Sequence, residues 1–407
     1  VIERENSHFG IDLASSKCVF YHHFDSHSLP KLLAFTTIPG ANGIDFVGTA
    51  DNDDILLTLN EAGKLTANGL SGNDTMTFVN TTGVVGTVTA VGAEGDDLFV
   101  FTQDGANKND ARVYNSDVAG GAGSDTFNIA GGAWTSEFRG GAGNDVFQLG
   151  TNYTKTNIKG GADGDSFTGG ADFTVAGGAF VAGGGAAALT AATATVLELD
   201  NSKIRGQGGN DTAMDFRGFL VSSDDSTING NGGNDTIRLG LFDTVDGLLI
   251  GGGLGEDDIN AELDQSAPDG IQFNGGAGID SIIASTGDDV INGGTDGDTM
   301  FGRAGDDTID AGTGADFADG EGGTDTIVGG TGADTIEGGA GNDTLNGNED
   351  NDNLSGEAGN DTVGGDAGND VIVGGAGRDS LSGGEGRDTI IDRTGVDTIV
   401  GGNGGDT

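Results

Sequence analysis

Fifteen aspartates recur at every ninth residue over the last third of the chain. They are Asp280, Asp289, Asp298, Asp307, Asp316, Asp325, Asp334, Asp343, Asp352, Asp361, Asp370, Asp379, Asp388, Asp397 and Asp406. Each closes a turn written G-G-x-G-x-D, with glycine at positions such as Gly276, Gly278, Gly294, Gly330, Gly332, Gly339, Gly341, Gly375 and Gly377. Carboxylates at a fixed short period beside exposed glycine carbonyls are hard oxygen ligands, and the chemistry they suit is binding of a hard cation. Nine further turns of this kind stand upstream at wider intervals, at Asp53, Asp74, Asp97, Asp125, Asp145, Asp165, Asp211, Asp235 and Asp257, leading into Asp280.

Such ligands need a scaffold with the same period. Two residues after nearly every aspartate of the strict series stands a large apolar residue: Ile282, Ile291, Met300, Ile309, Ile327, Ile336, Leu345, Leu354, Val363, Ile372, Leu381, Ile390 and Ile399. Ala318 alone weakens the set. The x-U-x piece is a short strand with its apolar residue facing inward, and G-G-x-G-x-D is a turn using glycine where φ is positive. A fixed internal period marks a repeat architecture. A glycine-rich disordered linker would leave the ninth-residue hydrophobic without a purpose.

Two nonapeptides make a coil of 18 residues, so Asp280, Asp298 and Asp316 stack along one edge and Asp289, Asp307 and Asp325 along the other. Neighbouring strands lie ~4.7–4.9 Å apart, and carboxylates stacked at that spacing repel one another. Calcium takes oxygen ligands at ~2.3–2.6 Å, about half the coil spacing. One ion therefore fits between two stacked turns and removes the repulsion.

These residues resemble the calcium-binding nonapeptide repeats of the RTX (repeats-in-toxin) family, most closely those of bacterial surface-layer and fibril proteins. The match is strict over about a third of the chain and loose over most of the rest. The resemblance implies a parallel β-roll, several bound Ca²⁺ ions and secretion from a bacterium in one step to the cell surface, with folding delayed until calcium is met outside.

Composition agrees. The chain has 407 residues, 65 acidic against 17 basic, and a formal net charge of −48. That charge excludes nucleic acid as a partner, because phosphate binding needs a basic surface, and it opposes docking on an anionic membrane. About 22 ions, roughly one per pair of stacked turns, would bring roughly 44 positive charges. The lone cysteine, Cys18, allows no internal disulfide, leaving calcium as the staple. No apolar run approaches the ~20 residues of a membrane span. The chain opens on Val1 without a signal segment and ends at Thr407, one residue past a repeat aspartate. An export signal or terminal cap is therefore expected outside it.

Along the chain, residues 1–44 differ in composition and are expected to form an N-terminal cap or tether, since a solenoid must cover its terminal coil. They hold His8, His22, His23 and His27 with Cys18 and Asp25, at spacings that match no strong zinc template. Residues 45–270 are expected to form a wide β-solenoid with one calcium turn per coil and an ordinary loop opposite. Residues 271–407 are expected to form the β-roll proper, with calcium turns on both edges. The upstream aspartates are separated by 21, 23, 28, 20, 20, 46, 24, 22 and 23 residues. The gap of 46 is twice 23. It reads either as a coil that keeps its place with Ala188 where the aspartate belongs, or as a floppy Gly/Ala loop over 169–195. Phe99, Phe127, Phe147 and Phe167 occupy the inward position upstream, as a wider core requires. The expected fold is thus all-β: one right-handed parallel β-solenoid with coils of about 20–24 residues passing into an 18-residue-per-coil calcium β-roll.

Catalytic signatures were sought and not found. There is no H-E-x-x-H, no G-x-S-x-G and no Asp-Pro-His run, so no metalloprotease, lipase or polysaccharide-epimerase chemistry is expected. The turn carboxylates, held by metal, are unsuited to acid–base work. The expected role is a non-enzymatic, calcium-stiffened secreted structural protein: a surface-layer, fibril or adhesin component, self-associating and in contact with cell-surface glycan. The alternatives are the repeat portion of a secreted toxin or hydrolase, and an ice or surface adhesin. Ice binding would need uniform outward residues, yet the turn positions run Thr286/Asp288, Ala304/Asp306, Gly322/Thr324 and Ala340/Asn342.

Overall fold

The inward apolar positions dictate the architecture. In a computed structural model of the chain, residues 9–12, 17–21, 32–36, 43–48, 52–59, 64–80, 87–103, 113–129, 131–150, 153–162, 165–169, 173–176, 179–181, 188–191, 195–200, 203–205, 213–215, 219–224, 226–239, 241–261, 270–392 and 394–407 are described. Among them every regular element is a β-strand, and no helix is long and apolar enough to cross a membrane. The chain divides into two compact units, Val1–Gln207 and Gly208–Thr407. Each is a parallel β-solenoid.

In the second unit the strict repeat builds a two-sided coil. Each coil has a three-residue strand after one aspartate, as in Ser281–Ile283 and Thr299–Phe301, and a six-residue strand after the other, as in Val290–Thr295 and Thr308–Thr313. Like strands pair parallel, coil on coil: Ile282 opposite Met300, Ile291 opposite Ile309. The predicted apolar residues from Ile282 to Leu381 are all buried, and Ala318 is buried among them. One outward column carries only small hydroxyl residues. Thr308, Thr326, Thr344, Thr362, Ser380 and Thr398 stand in parallel register and exposed on the longer strands, where cross-strand threonine pairs favour the pleated surface.

The wide coils depart from expectation on the side opposite the calcium turn. That side is not a plain loop but a third rank of short parallel strands. In the first unit Val113–Tyr114, Ala133–Trp134, Tyr153–Thr154 and Phe173–Ala176 form it; in the second, Phe219–Asp224 pairs with Leu241–Asp246. The third side is where the extra residues of the longer coil go. The wider core is filled as predicted. Phe99, Phe127, Phe147 and Phe167 stack face to face with ring centroids 4.8, 4.5 and 4.8 Å apart, and all four are buried.

At the start of the chain Phe9–Asp12 pairs antiparallel with Lys17–Tyr21, which in turn pairs parallel with Gly43–Val47. The four histidines lie outside the described residues, as do Asp211 and most of 169–195. Strand Ala188–Ala191 nevertheless pairs with Ser166–Gly169, placing Ala188 opposite Ser166 and Leu189 opposite Phe167. Ala188 thus stands opposite the residue that follows Asp165, and not in the aspartate's own place as expected.

Candidate metal centre

Each aspartate sits at the corner between turn and strand, and its two carboxylate oxygens have different fates. Oδ1 accepts the backbone N–H of the corner aspartate in the preceding coil. In the first unit this ladder runs Asp53, Asp74, Asp97, Asp125, Asp145, Asp165, with N···Oδ1 distances of 2.7–2.8 Å. In the second it runs from Asp235 through Asp257, Asp280, Asp298, Asp316, Asp334, Asp352, Asp370 and Asp388 to Asp406, at 2.7–3.2 Å. The other edge carries Asp289, Asp307, Asp325, Asp343, Asp361, Asp379 and Asp397 in the same manner, at 2.7–3.0 Å. The two predicted columns are therefore built, and Asp257 joins the wide series to the strict one within the second unit.

Oδ2 points inward. It is buried without a hydrogen-bond partner in Asp74, Asp97, Asp125, Asp257, Asp280, Asp298, Asp307, Asp316, Asp325, Asp334, Asp343, Asp352, Asp361, Asp370, Asp379 and Asp388. An unpaired buried carboxylate oxygen is costly, and a run of sixteen is not tolerable as an accident. The carboxyls register the strain. Burial pushes Asp74, Asp97, Asp280, Asp307 and Asp325 up to about 7. It pushes Asp125, Asp298, Asp316, Asp352 and Asp361 up to about 6, against the opposing pull of the backbone N–H. Neighbouring carboxylates add to the rise: Asp257, Asp298 and Asp296 at Asp280, for example.

What surrounds Oδ2 is a notch lined with oxygen. The first glycine of each turn, five residues before its aspartate, leaves open the point a Cβ would fill. At Gly293 that point lies 2.7 Å from Asp298 Oδ2 and 2.5 Å from the carbonyl oxygen of Ala311 in the next coil. At Gly356 it lies 2.6 Å from both Asp361 Oδ2 and the Gly374 carbonyl oxygen. The second glycine serves the turn itself. Gly276, Gly294, Gly330, Gly339 and Gly375 have φ of +95° to +115°, open to glycine at no steric cost. Further along, Gly278, Gly332 and Gly341 are also left-handed, and at these and at Gly377 a side chain would strike the carbonyl of the preceding coil.

The donor set fits calcium: anionic and carbonyl oxygens only, in notches repeated coil after coil, with buried charge awaiting a cation. The aspartate Oδ2 atoms and the first-position carbonyls would hold the ion. Once bound, it supplies the positive charge that lets these carboxylates stay ionised inside the fold.

The opposite corner of the wide coils is an internal control. There Ser116, Ser136 and Thr156 take the aspartate's place, buried at 0–3% exposure. Ser136 Oγ accepts the Ser116 N–H at 3.1 Å and donates to the Trp134 carbonyl at 2.9 Å. A hydroxyl both accepts and donates, so this corner closes on itself without charge. In the second unit the same corner passes through Ser226, Leu248 and Ile271 before it becomes Asp289. Asp289 departs from the other aspartates. Its Oδ2 accepts from Ser285 Oγ at 2.6 Å and Ser285 N–H at 3.1 Å, because this turn has Ala284-Ser285 where its neighbours have glycine-led turns. Sequence reasoning gave Asp289 the same role as the rest, and missed both Ser285 and the hydroxyl corners.

Residues 221–245 and, in overlapping blocks, 274–407 match the RTX calcium-binding nonapeptide repeat. These segments are RTX repeats. Their ligand is calcium, several ions to a repeat region, and RTX repeat proteins are typically secreted. No curated protein matches the chain significantly. The stretch from Asp53 to Asp165 lies outside the matched residues, yet it builds the same Oδ1 ladder and glycine notch. Among the RTX turns, Asp392 stands where a first glycine is expected and groups with Asp379 and Asp397.

Proposed function

We propose that the protein is a non-catalytic, calcium-stapled structural component of a bacterial cell surface, in a surface layer, fibril or adhesin. The observation that carries this reading is the pair of carboxylate columns. Every described aspartate of the strict array is hydrogen-bonded into a ladder, and this leaves its side chain to stiffening rather than to substrate. Calcium at millimolar levels outside the cell would fill these notches; individual sites in extracellular modules are often weak, with Kd ~10⁻⁴–10⁻³ M. A net charge of −48 keeps metal-free chains apart, and neutralisation by calcium removes that barrier to self-association.

The test is imaging of the secreted protein with calcium and after chelation. Ordered lattices or filaments with calcium, dispersing on chelation, are expected. An intact secreted species carrying a large additional catalytic domain, seen by mass spectrometry, would replace this reading with that of a toxin or hydrolase whose repeats these are. Ice adhesion gains one uniform rank from the exposed threonines at 308, 326, 344 and 362. A lattice match needs repetition in two directions, and the adjacent outward rank runs Asp310, Val328, Asn346 and Gly364.

A further inference from the structure

One turn of the second column is built differently from the others. At its first position, where Gly302, Gly320, Gly338, Gly356 and Gly374 stand in the preceding coils, the turn of Asp397 has Asp392. In the other intervals the notch is closed by a backbone carbonyl from the next coil, as Gly374 O closes the notch over Gly356. Over Gly374 a side-chain carboxylate enters the notch. The point a Cβ on Gly374 would fill lies 3.0 Å from Asp379 Oδ2 and 3.1 Å from Asp392 Oδ2.

A second observation points to a ligand. Asp379 is 3% exposed and its Oδ2, aimed into this notch, has no hydrogen-bond partner. Its backbone N–H donates to Asp397 Oδ1 at 3.0 Å, which brings the third carboxylate alongside. Oxygen atoms of Asp379, Asp392 and Asp397 all lie within 4.8 Å of one another. Ligands of one calcium ion, each at ~2.3–2.6 Å, are at most about 5 Å apart, so one ion can touch all three. Asp392 Oδ1 meanwhile accepts the Thr394 N–H at 3.4 Å, and Thr394 Oγ1 donates to the Gly375 carbonyl. That pairing tethers the turn to the coil beneath.

We propose that Asp379, Asp392 and Asp397 form a three-carboxylate site for a calcium-sized divalent cation, which fills before the other sites of the second column. The inference rests on the calcium reading of the repeats and adds a rank order to it. Ligand charge count tunes calcium affinity over several decades. The Asp392 carboxylate adds a full negative charge to one interval while its neighbours stay as they are.

The test is a calcium titration of the full chain by calorimetry, with Tb³⁺ luminescence as a second probe, on wild type, Asp392→Asn and Asp392→Gly. Asn keeps the shape without the charge, and Gly restores the turn used by the preceding coils. Wild type should show one ion per chain bound at least about tenfold more tightly than the rest. In both variants that ion should weaken by about tenfold and merge with the others, with unchanged circular dichroism at saturating calcium. Equal titrations of all three proteins would overturn the three-carboxylate site and leave the repeat reading intact. Absence of calcium binding to wild type would overturn both.

Discussion

The backbone N–H of Asp280 donates to Oδ1 of Asp298, 2.8 Å away in the next coil. The same bond, repeated up both edges, ties strand order to charge. Each carboxylate must lie in the fold to satisfy a neighbour's amide, and doing so buries its other oxygen. The amide and the need for a cation are thus two halves of one requirement. A hydroxyl meets the first without creating the second, as Ser136 does for Ser116. The identity of the corner residue, together with a glycine-led turn before it, therefore separates a metal-dependent edge from a self-sufficient one; Asp289, whose Oδ2 is met by Ser285, lacks that turn.

Chelation should consequently act on the aspartate edges. Treatment with EGTA is expected to collapse the far-UV β signal of residues 275–407, where both edges carry carboxylates. Circular dichroism with and without the chelator decides it; an unchanged spectrum would remove calcium from the account.

Replacing Asp343 by Ala should weaken two intervals at once. Its Oδ1 accepts from Asp325 N–H at 2.9 Å and its own N–H reaches Asp361 Oδ1 at 3.0 Å. Asp200, outside both columns, should tolerate the same change with little effect on calcium uptake. Identical calcium titrations for the two variants would contradict the column arrangement.

Acidity should have opposite effects with and without metal. The carboxyls of Asp280, Asp307 and Asp325 are raised to about 7 by burial in the fold, whereas an unfolded chain titrates them near about 4. Their folded values lie above their unfolded ones. The metal-free fold therefore suffers no penalty below about pH 4 and loses stability progressively as pH rises through about 7. Chelated protein should keep more β structure at about pH 5 than at about pH 8. Calcium competes with the same protons, so its apparent affinity should rise across that range. Stability of chelated protein that increases with pH would show that these carboxyls are not buried as described.

Much of this was legible in the residues because the signal repeats. A nine-residue spacing seen fifteen times defines the columns, and Phe99, Phe127, Phe147 and Phe167 announce a ladder by recurring at the same distance from an aspartate. What does not repeat, or repeats in common residues, stayed hidden. A two-residue strand such as Ala133–Trp134 has no period to read, and Ser116 and Ser136 look like ordinary turn serines until their hydroxyls are seen bridging coils. In a run of alanines the register of Ala188 cannot be read from residue type; its pairing with Ser166 shows that it follows the aspartate's place. The threonine rank was present at 18-residue spacing, but the outward surface was sought on the turns, and it lies on the strands.

Backbone strain in the turns offers a route to stabilisation. Glu357 holds the second-glycine position with φ +65°, as do Glu321 at +60° and Asn348 at +73°. A left-handed backbone costs an L-residue roughly 1–2 kcal/mol, which glycine avoids.

Glu357→Gly should therefore raise calcium-loaded stability by about 1 kcal/mol, less whatever glycine's greater freedom returns to the unfolded chain. Gly330→Ala should do the reverse and cost more, because its φ is +108° and its Cβ would meet the Gly312 carbonyl. Thermal unfolding at fixed calcium measures both. A glutamate-to-glycine variant that melts lower would show that Glu357 earns its place by a contact outweighing the strain of its backbone.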